Sequence, residues 1–93
     1  MLLVLLCTAC GGKPSPVGTW RCASIGSESV IELTYDGDFI DHVSGAANKY
    51  RLQHGCIVTY VEDEPGSEVA LPYEMRGGML YIGDAAYERV ENP

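Results

Sequence analysis

The chain has 93 residues, 46% hydrophobic and 20% charged, enough for one small domain with a single core and outside the polar composition of disordered chains. Thirteen Asp and Glu against six Lys and Arg give a net charge of -7 at pH 7, and no basic cluster occurs. That balance excludes the electrostatic footprint of a nucleic-acid binder.

Residues 1–9 are uncharged and mostly apolar. They are too few for a membrane-spanning helix, which needs about 20 such residues. They end at Ala9-Cys10-Gly11, a small residue before a cysteine. The segment resembles the end of a bacterial lipoprotein signal, where the cysteine is acylated through its sulfur and the residues before it are removed. The resemblance implies a signal segment at 1–9, lipid on Cys10, and a flexible tether over 10–16, where the run Gly11-Gly-Lys-Pro-Ser-Pro16 lies. Residues 17–93 are then the folded domain. On the same reading Cys7 leaves with the signal, and Cys22 and Cys56 remain in an oxidising compartment, where a disulfide between them is expected. Such a bond would contribute about 4 kcal/mol on a chain-entropy argument. The alternative is two buried thiols packed as small apolar groups.

From Val17 onward, short runs rich in Val, Ile, Thr and Tyr alternate with Gly, Asp, Asn and Pro, which is the punctuation of strands. Strands are predicted at 18–23, 30–35, 38–43, 49–54, 56–62, 69–75, 79–82 and 86–90. Val69, Leu71, Tyr73 and Met75 alternate with Ala70, Pro72, Glu74 and Arg76, one face for the core and one for water. Ile31, Leu33 and Tyr35 alternate in the same way with Glu32 and Thr34, and Tyr50 and Leu52 with Lys49, Arg51 and Gln53. The stretch 56–61 is apolar on both faces and is expected to lie centrally. Pro72 donates no ladder hydrogen bond, which points to an edge or a bulge.

Asp36-Gly37, His54-Gly55 and Arg76-Gly77-Gly78 are predicted tight hairpins, and 62–68 is predicted to be a longer acidic loop. No window carries the apolar spacing of a helix. The expected fold is all-β: a small antiparallel up-and-down meander of about eight short strands, which removes its edges by closing into a barrel. Trp20, Tyr35, Tyr50 and Tyr73 are the aromatics expected to fill so narrow an interior.

Gly18-Thr19-Trp20 in the first strand, the Tyr35-Asp-Gly-Asp-Phe39 hairpin, Gly78-Met-Leu-Tyr-Ile82 and Tyr87-Glu-Arg-Val90 together resemble small lipocalin-like bacterial lipoproteins. The likeness covers about residues 17–90. It implies that Trp20 plugs one end of a barrel and that Arg89 from the last strand packs across it, a contact worth about 0.5–2 kcal/mol. The second lipocalin signature, Thr-Asp-Tyr, is absent, so ligand binding does not follow from the likeness.

Asp36, Asp38 and Asp41 surround Gly37 without the twelve-residue calcium-loop pattern, and a turn is their expected role. His42 and His54 with Cys22 and Cys56 lack zinc-type spacing. No nucleophile motif such as Gly-x-Ser-x-Gly occurs. Neither enzyme activity nor a metal or other cofactor is expected. The expected function is that of an envelope-anchored, non-catalytic binding or interaction module, held on the extracytoplasmic side by its lipid and meeting a protein partner. The alternatives are a carrier of a small apolar ligand and a periplasmic inhibitor of a hydrolase.

Overall fold

Short β-branched and aromatic runs separated by Gly-containing turns form eight strands in the computed structural model, which describes residues 15–23 and 28–90. They are β1 (Gly18–Cys22), β2 (Val30–Leu33), β3 (Asp38–Asp41), β4 (Ala47–Gln53), β5 (Cys56–Tyr60), β6 (Val69–Arg76), β7 (Met79–Ile82) and β8 (Ala85–Arg89). Each pairs antiparallel with the next, and β8 pairs back onto β1, closing an up-and-down barrel. The closing register sets Trp20 opposite Arg89 and Cys22 opposite Tyr87. All-β architecture, strand number and closure agree with the expectation from sequence.

Local hydrogen bonds explain where strands stop. Thr34 ends β2: its N–H donates to the Asp38 carbonyl at 2.8 Å, and its hydroxyl accepts the Asp38 N–H at 2.9 Å. Tyr35 therefore belongs to the turn, not to an inward-facing strand position, and is 86% exposed instead of filling the interior. Asp41 ends β3 because its carboxylate accepts the Val43 and Ser44 N–H groups. His54 and Gly55 both have positive φ, 53° and 76°, the geometry of a two-residue turn matched to strand twist. Sequence reasoning passed over the Gly83-Asp84 turn between β7 and β8.

The interior is filled with side chains. Trp20, Leu33, Ile57 and Leu80 are fully buried, Ile31 and Tyr50 nearly so, and Phe39, Leu71, Tyr73, Met75, Ile82 and Tyr87 pack against them. In a closed barrel no strand is central, so the two apolar faces of β5 need another cause. Ile57 faces the core, while Val58 on the outside is covered by Arg51, which reaches from β4 across β5 to Glu68 at 3.1 Å. Pro72 sits in β6, between two strands, yet just beyond the last β6–β7 pair, Tyr73 with Ile82. There its carbonyl accepts the Gly83 N–H at 3.1 Å, and a missing N–H leaves no ladder position empty.

Strand alternation gives the barrel two ends. The near end carries the chain's entry at Ser15 to Val17 and the connections 34–37, 54–55 and 77–78. The far end carries the connections 42–46, 61–68 and 83–84, together with Glu28 and Ser29 before β2.

Candidate functional site

At the near end, Trp20 has no exposed surface, and its indole N–H donates to the Pro16 carbonyl at 2.8 Å. Pro16 is itself fully buried, so residues assigned from sequence to the end of the tether are part of the fold. Arg89 lies over the indole with its guanidinium carbon 4.3 Å from the ring centroid, and its Nη1 donates to the Val17 carbonyl at 3.1 Å. Gly18 has φ of 141°, and a Cβ there would collide with Arg89 Nη1. The backbone calls for glycine, and an added Cβ would push the Arg89 guanidinium from its place. Gly18, Trp20 and Arg89 thus form a plug that ties the first strand to the last, with the indole N–H and one guanidinium N–H bonded inside the protein.

The two cysteines of the folded domain do not meet. Cys22 shares the inward face of Trp20 on β1 and is buried. Cys56 shares the outward face of Val58 on β5 and opens into a cleft lined by Arg51, Gln53, His54, Val58, Glu68 and Ala70. No disulfide joins them, which corrects the expected pairing: they lie in β1 and β5 and face opposite sides of the sheet. Cys10, the proposed acylation site, lies outside the described residues, as does the signal segment 1–9.

The aspartates near Gly37 act separately. Asp38 accepts from Lys49 at 2.9 Å, and that hydrogen bond, helped by the Asp38 charge, raises the Lys49 pKa above its usual 10.5. Asp41 caps the β3–β4 turn, and its two backbone hydrogen bonds hold its carboxyl below the ordinary 3.8. Asp36 is exposed. His42 Nε2 lies 2.8 Å from Glu32 Oε1, and His54 sits in the β4–β5 turn at the other end of the barrel. Among the described residues no three His, Cys, Asp or Glu side chains gather as a metal set. Tyr50 donates to the Thr34 carbonyl at 2.7 Å, and burial pushes its phenol pKa up.

Surface charge is unevenly neutralised. Arg21 pairs with Glu88 at 3.3 Å, Lys49 with Asp38, Arg51 with Glu68, and Arg89 is held on Trp20. Arg76 stacks over Tyr81, 4.4 Å from its centroid, beside Glu74. No ion pair among the described residues engages Glu62, Asp63, Glu64 or Asp84, all at the far end. The loop bearing the first three is held in shape by Ser67, whose hydroxyl accepts the Val61 N–H at 2.8 Å, and by the Ser67 N–H bond to the Glu64 carbonyl. A cleft of about 430 Å³ lies within that loop, between Tyr60 and Glu68. Pro16, Thr34 and Ser67 are structural residues that sequence reasoning missed, since each acts through hydrogen bonds to residues it does not adjoin.

Comparison of the chain with protein-family models, with curated proteins and with solved structures finds no match.

Proposed function

We propose that this protein is an envelope-anchored, non-catalytic lipoprotein whose lipocalin-like barrel is a binding or interaction module. Its anchor is lipid on Cys10, and it works on the extracytoplasmic side of a membrane. The apolar segment 1–9 ending at Ala9-Cys10-Gly11 supports the anchor, and Trp20 under Arg89 supports the kinship with lipocalins.

One observation favours interaction over carriage: the interior is occupied by Trp20, Leu33, Ile57, Leu80 and their neighbours. A carrier of apolar ligands needs that volume empty. The clefts at 60–68 and beside Cys56 open between outward-facing groups instead. With the described cations engaged, what the barrel offers a partner is carboxylate at the far end. A basic protein surface is the complement, and charge of this kind speeds encounter and selects partners more than it adds affinity.

Crosslinking of the acylated chain in native envelopes tests this reading. A partner retained by the unaltered chain, and lost when Glu62→Gln, Asp63→Asn and Glu64→Gln are combined, supports it. Capture indifferent to neutralisation and to salt contradicts it. The hydrolase-inhibitor reading is favoured by the internally bonded loop 61–68 and is removed by inactivity against a panel of proteases and lysozymes.

A further inference from the structure

We infer that the near end of the barrel, led by Tyr35, lies against an anionic lipid bilayer while the acidic far end points away from it; this orientation rests on the acylation of Cys10 proposed above. Three observations carry it. The first is where the chain enters. Pro16 and Val17 are fastened to Trp20 and Arg89 at the near end, so the anchor arrives there. From Cys10 to Ser15, at about 3.3–3.6 Å per residue, the chain reaches at most about 18 Å. The longest strand, β6, has eight residues. At about 3.4 Å per residue and a tilt of about 35–45°, it gives the wall a height of about 20 Å. A chain of that reach, leaving the near end, sets the near end closer to the bilayer than the far end.

The second observation is exposed apolar surface. Tyr35 is 86% exposed at the tip of the β2–β3 turn, and Leu52 is 44% exposed at the close of β4. Tyrosine is favoured at the boundary between headgroups and acyl chains, where its ring is buried and its hydroxyl stays wet. The third is charge. The near-end connections contain one carboxylate, Asp36, and the adjoining strand ends carry Arg76 and Arg89 together with Asp38, which Lys49 neutralises. The far end carries Glu28, Glu62, Asp63, Glu64, Glu68 and Asp84. Val43, Val61 and Val69 are also exposed there, but they stand among carboxylates that an anionic surface repels.

Trp20 is the chain's sole tryptophan, so an added one reports its own surroundings against a constant background. The test uses the full acylated chain in vesicles of phosphatidylethanolamine and phosphatidylglycerol with brominated acyl chains. It compares Tyr35→Trp with Asp84→Trp and Glu62→Trp. The added emission in Tyr35→Trp is expected to shift to the blue and to be lost to bromine quenching, while both far-end variants keep emission typical of water. Equal quenching at the two ends, or stronger quenching at the far end, overturns the orientation. An intact mass without acyl chains on Cys10 overturns the anchor itself, and the orientation with it.

Discussion

Replacing Arg89 with Ala removes both bonds by which the last strand closes the plug. The stacked guanidinium lies 4.3 Å from the centroid of a fully buried indole, a contact worth about 0.5–2 kcal/mol. The hydrogen bond to the Val17 carbonyl adds about 1 kcal/mol, below the roughly 1.5–3 kcal/mol of a charged donor because Arg89 is exposed. The combined loss is about 2 kcal/mol, which in a domain of this size lowers the melting temperature by about 8–16 °C. Thermal unfolding followed by circular dichroism reads the stability, and emission of the lone Trp20 reads the plug, with a red shift expected as water reaches the indole. Arg89→Lys should fall between the two, keeping charge but losing the planar fork. An Arg89→Ala protein that melts with the unaltered chain and keeps its emission spectrum refutes the reasoning.

Gly18→Ala should cost about 1–3 kcal/mol, because the added Cβ meets Arg89 Nη1 and the backbone lies where side chains are disfavoured; a neutral effect in the same melt would contradict this. Cys56, in an outer cleft, should react with a maleimide in the folded protein, and a non-reducing digest should contain no peptide linking Cys22 to Cys56. Asp41→Ala should destabilise at pH 7. Its carboxyl is held below 3.8 by the Val43 and Ser44 N–H groups, so its contribution is present above 3.8 and lost as pH falls through the folded value. The two proteins should therefore converge on acidification, and a gap that persists at the acid end counts against the cap. Tyr50 works the other way: its folded pKa is raised above 10.0, so its contribution is present below 10.0 and lost as pH rises through the folded value. Tyr50→Phe should soften that alkaline loss.

The parts of the fold legible in the sequence are those written in short-range pattern. Gly after His54 and after Arg76 marks hairpins, and alternation over Leu71, Tyr73 and Met75 gives the side of β6 that meets the core, whereas Val69 on the same face is exposed at the far end. Tyr35 was misread because Ile31, Leu33 and Tyr35 keep the same parity. What ends β2 is the hydroxyl of Thr34 bonding back to Asp38, and alternation does not register that competition. The cysteine pair failed for a related reason. Cys56, Ile57 and Val58 are all apolar, so nothing in the run states which of them faces inward, and the cover that Arg51 gives Val58 comes from a neighbouring strand. Of the plug, Gly18, Trp20 and Arg89 were named through likeness to lipocalins, whereas Pro16 was invisible because its role is a carbonyl, which every residue possesses.

The anchor is the claim on which location and orientation both depend. Growth with a palmitate analogue, followed by intact mass of the purified protein, examines it directly. A chain that begins at Cys10, carries the labelled acyl group there and lacks residues 1–9 is the predicted result. An unlabelled chain with those nine residues still attached would contradict it.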